Sequence, residues 1–210
     1  MSIFLILLIS TCFSQKNPAA FTIVPLGVLG GIDESNLSAY MVAKKNTNNY
    51  ICLDAGTLNY GIARAIGNHI FSIPADQVLK DYIKGYFISH AHLDHIAGLV
   101  INSPNDTAKN IYALESCIET LKTRYFTWES WINFADEGET PLLKKYHYRV
   151  LRPDSSISVN NTGMQVRAFP LSHAGIQSTA FLVNTGDAYI LYIGDTGPDA
   201  IEKSGDLHNF

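Results

Sequence analysis

The stretch His90-Ala91-His92-Leu93-Asp94-His95 joins an apolar run, Tyr86-Phe87-Ile88, to a second run in which Ile96, Leu99 and Val100 recur at helical spacing. Neutral imidazoles and carboxylates are the ligands that zinc and related divalent cations take, and packing does not call for four such groups within six residues. A solvated loop is the alternative, but exposed loops are built mainly from Gly, Pro, Asn, Asp and Ser. Side chains two apart on an extended segment project to one side, so His90 and His92 are placed to grip one cation. Where the chain turns into the helix, Asp94 and His95 swing towards a second position. One loop can therefore serve two neighbouring metals.

Working outward, the 210 residues are 47% hydrophobic and 16% charged, which suits one globular domain with a sizeable core. A net charge of -4 supplies no basic face for a nucleic-acid polymer, so a small substrate is expected. The apolar run Met1 to Ser10 is too short to span a bilayer and gives way to small polar residues. Residues 1–14 are read as a signal peptide cleaved after Ser14, which makes the mature chain secreted or periplasmic, with no transmembrane segment. A buried first strand is the other reading of that run; Cys12 as a lipid site is poorly served by the Thr11 before it. Cys52 and Cys117 fit neither a zinc spacing nor a disulfide framework and read as small buried apolar residues.

Strands are expected over 21–28, 37–42 and 50–53, opening the fold as a meander, with turns at Gly30-Gly31 and Asn46 to Asn49. Helical stretches follow over 59–66 and 75–83, and a buried strand over 86–89 delivers the metal motif. A strand at 111–114 and a helix from Glu115 to about Tyr125 come next, then strands at 148–151, 164–169, 179–183 and 189–193. Strands, then helices, then strands again imply stacked sheets with helices outside. Ligands at the carboxyl end of a strand are where α/β layers place chemistry. The aromatic residues Tyr125, Phe126, Trp128, Trp131 and Phe134 read as core or cover, with stacking on a base at the mouth of the site as the alternative. His173 and Asp195 each end a strand, although a single His at such a place is often only a satisfied polar group. Asp54, before Ala55-Gly56, follows the third strand, where an Asx-turn or helix cap would also suit it. His69 and His147 have no ligand-like neighbours in the sequence and read as structural.

The pattern His-x-His-x-Asp-His resembles the metal motif of the metallo-β-lactamase superfamily. The longer string from His90 through Gly98-Leu99-Val100 to Ser103-Pro104 resembles the signature of the class II cyclic-nucleotide phosphodiesterases, and the likeness runs from about Val24 to Asp199. The resemblance implies an α/β fold of αββα sandwich type. It implies that His90, His92 and His173 hold one metal, that Asp94 and His95 hold a second, and that Asp195 bridges. It also implies that Asp54 hydrogen-bonds a metal-binding histidine and fixes its tautomer. The implied cofactors are two divalent ions, zinc first, with manganese, iron and cobalt compatible. The implied reaction is hydrolysis of a 3',5'-cyclic nucleotide, cAMP and with it cGMP, to the 5'-monophosphate by a hydroxide that the two ions share and Asp94 orients. Such a site carries net positive charge and attracts an anionic phosphodiester.

One element of the family pattern is missing. A last histidine is expected in a Gly-His-Leu-Thr-like segment well beyond Asp195, yet the sequence after Asp195 runs only to His208-Asn209-Phe210. Residues 15–210 are therefore expected to form a partial domain whose C-terminal half is incomplete. His208, in a short polar tail, is a poor substitute ligand. Two other functions stay open. One is another hydrolase of the superfamily, acting on a lactone, thioester or β-lactam, which has no reason to share Ser103-Pro104. The other is a metal-binding fragment without catalysis.

Overall fold

The computed structural model describes residues 19–186 and 188–208; the run read as a signal peptide, with Cys12, lies outside them. The chain opens as the expected meander, with β1 (Phe21–Gly27), β2 (Ala39–Lys44) and β3 (Tyr50–Leu53) paired antiparallel. From β3 the sheet continues in parallel through β4 (Ile83–Phe87), β5 (Lys109–Ala113) and β6 (Tyr146–Val150), in the spatial order β1-β2-β3-β4-β5-β6. Parallel neighbours need crossovers, and helices fill them. Helix α1 (Asn59–Gly67) and α2 (Ala75–Gln77, running into a π-helical turn over Val78–Tyr82) link β3 to β4. Helix α3 (Leu93–Asn102) links β4 to β5, and α4 (Glu115–Thr120, running into a π-helical turn over Leu121–Tyr125) follows β5. Strands β7 (Ser156–Val159), β8 (Met164–His173), β9 (Ile176–Asn184) and β10 (Tyr189–Tyr192) form a second, antiparallel sheet in the order β10-β9-β8-β7.

The two-residue alternation of the strands sorts their side chains into two cores. On β3, Tyr50 and Cys52 join Ile62, Ile96, Leu99 and Ile118 under the helices, whereas Ile51 and Leu53 join Phe87, Met164, Val166 and Phe181 between the sheets. Strands buried on both faces need apolar residues at successive positions, which is why β3 and the Tyr86-Phe87 end of β4 read as apolar runs. Helices, sheet and sheet therefore stack in that order. Beyond these three layers the described residues add only α5 (Asp199–Glu202), which meets β8 where Ser172 Oγ donates to Glu202 Oε2 at 3.3 Å. Among the described residues no helix is long and apolar enough to cross a membrane.

Several boundaries differ from expectation. The helix expected to reach Ile83 stops at Tyr82, because Ile83 enters the sheet opposite Tyr50. The strand expected over 86–89 therefore spans Ile83–Phe87, and Ser89 is left free to turn towards the motif. Strand β7 was not anticipated: in Ser-Ile-Ser-Val only Val159 is buried, and pairing with β8 supplies the order that the side chains do not. The aromatic group divides. Phe126 and Phe134 are core, Trp131 donates to Ser103 Oγ, and Trp128 stays on the surface with its indole N–H on the Pro141 carbonyl. His147 has a carboxylate partner after all, with Nδ1 3.0 Å from Asp136 Oδ2.

Helix α3 is fastened to the loop after β3 backbone to backbone. Ala55 N–H donates to His95 O, Gly98 N–H to Gly56 O and Leu99 N–H to Ala55 O, at 2.8–3.0 Å. That approach leaves no room for a side chain, since a Cβ on Gly56 would lie 2.0 Å from the Asp94 carbonyl oxygen. Gly56→Ala is expected to push α3 away and destabilise the fold by about 3 kcal/mol in urea denaturation. Gly67→Ala, at a helical glycine with open space around it, is the control and is expected to be neutral or to stabilise by roughly 0.5–1 kcal/mol. At the other end of α3, Ser103 Oγ donates to Val100 O, and Lys145 Nζ donates to the carbonyls of Ser103 and Pro104. The Ser103-Pro104 end of the string thus ties down the helix end.

Candidate metal centre

The turn between β4 and α3, the tip of the β8–β9 hairpin and the segment after β10 meet at one end of the two sheets. The turn carries His90, His92, Asp94 and His95. The hairpin carries His173, paired with Ile176 across a turn in which Ala174 and Gly175 both have positive φ. The segment after β10 carries Asp195. One ligand atom each from His90, His92 and His173 lie within 4.8 Å of one another, and the same holds for His90, His95 and Asp195. Asp195 Oδ2 stands between the two groups, 3.5 Å from His95 Nε2 and 3.6 Å from His173 Nε2. Asp94 Oδ2 lies 3.6 Å from His95 Nε2 and accepts the Gly31 N–H at 3.0 Å, which fastens the Gly30-Gly31 turn to the site. All six residues expected to bind metal are brought together, although Asp94 falls outside both close groups. His208 is in neither group; its backbone N–H donates to Asp199 in the exposed tail.

Beneath this cluster lies a buried hydrogen-bond network centred on Asp54, whose φ is +53°. Its Oδ1 accepts the Ser89 backbone N–H at 2.7 Å. Its Oδ2 accepts Ser89 Oγ–H at 2.7 Å, His95 Nδ1–H at 2.6 Å and Tyr192 O–H at 2.5 Å. The Ser38 hydroxyl in turn donates to the Tyr192 oxygen at 2.9 Å. Holding the Nδ1 proton of His95 on a carboxylate leaves Nε2 as the nitrogen turned towards Asp94 and Asp195, the one a metal would take. Ser89 does the same for His90, whose Nδ1 is 3.1 Å from the serine oxygen and whose Nε2 faces His92 at 3.0 Å. Asp54 therefore does not cap a helix. Ser89 and Tyr192, which the sequence did not mark, share its role.

The charges agree with the hydrogen bonds. Burial and the neighbouring His95 hold His90 down at about 4, so its imidazole is neutral near pH 7, the form that binds a metal. Burial also opposes charge on His95, but the hydrogen bond to Asp54 and the charges of Asp54, Asp195 and Asp94 outweigh it and raise the group to about 9. Burial, then the charge of Asp54, pushes the Tyr192 phenol far up and keeps it a donor. Burial pushes both thiols, Cys52 and Cys117, well above the usual range, so neither is a ready thiolate ligand. The structure offers one direct test of whether a cation fits. His95 Nε2 is buried with no hydrogen-bond partner among the described residues, and it points at two carboxylate oxygens. With no ion present that nitrogen carries a proton facing the two carboxylates, and a divalent cation bound by imidazole and carboxylate would take the proton's place. The His/Asp cluster is thus equipped to hold divalent metal.

A model of the class-II cAMP phosphodiesterases matches residues 19–210. The chain belongs to that family. It is 39% identical to a probable 3',5'-cyclic-nucleotide phosphodiesterase of Yersinia pestis over 96% of its length, and 43% identical to a 3',5'-cyclic-nucleotide phosphodiesterase of Aliivibrio fischeri over 92%. It spans 62% and 63% of those two relatives. Among solved structures, unliganded yeast PDE1 superposes over 90% of this chain and 68% of its own, with a TM-score of 0.75 at 20% identity. The metallo-beta-lactamase fold protein YhfI of Bacillus subtilis superposes over 86% of this chain and 65% of its own, with a TM-score of 0.58 at 16% identity. The fold is thus the metallo-β-lactamase type that the family shares.

Proposed function

We propose that this chain builds the metal centre of a 3',5'-cyclic-nucleotide phosphodiesterase that hydrolyses cAMP, and with it cGMP, to the 5'-monophosphate. The observation that carries the proposal is the convergence of His90, His92, His173, His95, Asp94 and Asp195 around the unpartnered Nε2 of His95. The three-histidine group would hold one divalent ion, zinc first among candidates for imidazole-rich sites. His95 and Asp94 would hold the other, and Asp195 would reach both. When bound, such ions supply Lewis acidity towards phosphoryl oxygens and a nucleophile near neutral pH. The chain's own groups do the rest. Asp54 and Ser89 keep the imidazole protons of His95 and His90 on the Nδ1 side, and Asp94 would accept a hydrogen bond from the attacking water. Water adds to phosphorus, the bond from phosphorus to O3' breaks, and O3' leaves with the proton. The relatives' names and the anionic substrate they act on support the choice of a cyclic phosphodiester.

The test is a substrate panel on the zinc-loaded chain. Turnover of cAMP that ethylenediaminetetraacetate abolishes and added zinc restores is expected, with little activity on a lactone, a thioester or a β-lactam. Opening of any of those three with cAMP untouched overturns the assignment. Tight zinc uptake with no turnover of any substrate would instead support a metal-binding fragment.

A further inference from the structure

We propose that the cavity beside His92 is a nucleoside subsite in which Gln177 reads the edge of a purine base; this rests on the phosphodiesterase function proposed above. The cavity has a volume of about 410 Å³ and opens alongside His92, one of the three grouped histidines. Ala91, Tyr125 and Ile176 give it apolar walls, and Ser116, Thr120 and Gln177 add a few polar groups. Few polar groups in a mostly apolar hollow of this size, within the roughly 300–1,000 Å³ usual for small-molecule sites, suit a ligand of drug-like dimensions.

Three features narrow the ligand to a nucleoside. Among the described residues no Asp, Glu, Lys or Arg lines it, so the cavity complements a neutral group while the metal-binding cluster next to it attracts the phosphate. The Tyr125 hydroxyl is committed to the Ala91 carbonyl at 3.0 Å, which fixes the ring as a flat wall at the end of the π-helical turn. A π-face meeting a base needs such a fixed wall. Gln177 Oε1 accepts Ser116 Oγ–H at 2.7 Å, which orients the amide and leaves its NH₂ to donate to a ring nitrogen or carbonyl of the base. Position is also enforced by the fold. Gln177 pairs with Ser172 and Ile176 with His173 on the same tight hairpin, so the cavity wall and a metal-binding histidine move as one piece.

The discriminating probes are adenosine 5'-monophosphate and ribose 5-phosphate, which carry the same phosphate and differ by the base. Isothermal titration of the zinc-loaded full chain is expected to show adenosine 5'-monophosphate binding at least tenfold more tightly. Gln177→Ala removes one base-reading amide and is expected to lower that preference about tenfold, the worth of a lost hydrogen bond of about 1.4 kcal/mol. Ser116→Trp, at an exposed position on α4, fills the cavity and is expected to bring the two ligands to parity without loss of zinc. Equal binding of the two probes by the wild-type chain, binding of neither, or an undiminished preference in both variants overturns the subsite. If instead the preference is present and base-dependent but cAMP is never hydrolysed, the subsite stands and the phosphodiesterase reading falls.

Discussion

Asp54→Ala is expected to empty the site of metal while leaving every grouped histidine in the sequence. Four donors end on this one carboxylate: the Ser89 N–H, the Ser89 hydroxyl, the His95 Nδ1–H and the Tyr192 hydroxyl. Truncation strands all of them in a buried place, and one unmet buried donor costs about 1–3 kcal/mol, so a loss of about 3 kcal/mol or more in urea denaturation is expected. The imidazole of His95 also loses the acceptor that keeps its proton on Nδ1, and removal of such an orienting partner lowers metal affinity by about ten- to a hundredfold. Zinc retained after equilibration with a competing chelator measures this directly. Asp54→Asn offers an oxygen at one position only and is expected to fall between the alanine variant and the wild type. Wild-type zinc retention in Asp54→Ala would show that the network is structural alone.

What the sequence disclosed and what it hid follow one rule, the distance along the chain over which a contact must be recognised. His90, His92, Asp94 and His95 stand within six consecutive residues, so their chemistry shows as a pattern. His173 and Asp195 lack that compactness, yet each follows an apolar run with a Gly close by, which marks a strand end. Tyr192 offers no such mark. It sits 138 residues from Asp54 on the other sheet, and nothing in Tyr189 to Ile193 distinguishes a tyrosine that faces a carboxylate from one that faces solvent. Ser89 adjoins the motif, but a serine there is as readily a turn residue as an acceptor for an imidazole proton. The Asp136 partner of His147 lies in an irregular segment whose course no periodicity describes. The layers were legible because β3 and the Tyr86-Phe87 end of β4 are buried and apolar on both faces. The polar strand β7 was not, because it draws its order from β8.

The second large effect is expected far from the metal-binding groups, at Asp106. This carboxylate accepts Tyr86 O–H at 2.6 Å, Tyr146 O–H at 2.9 Å and the Thr107 N–H at 2.7 Å, and it forms an ion pair with the buried ammonium of Lys109. Burial lowers the pKa of Lys109 and the charge of Asp106 works against that shift, so the aspartate is what makes an ammonium tolerable there. Asp106→Ala takes the counter-charge from that cation, leaving it only the Thr107 hydroxyl at 2.9 Å, and takes the acceptor from two phenols; it is expected to cost about 3–5 kcal/mol, the penalty of breaking a buried pair. Replacing both partners, as Asp106→Ala with Lys109→Met, is expected to recover part of the loss, because the uncompensated charge then disappears. A cost below about 1 kcal/mol for the single variant would mean that water reaches Lys109 and that the pair is not buried in solution. The network ties together β4, β5 and β6 through Tyr86, Lys109 and Tyr146, and β4 is the strand that runs on into His90. Zinc retention by the folded fraction of Asp106→Ala is nonetheless expected to match the wild type, in contrast to Asp54→Ala. Both aspartates gather buried donors, but only at Asp54 does one of those donors turn its other nitrogen towards a place where a cation can sit.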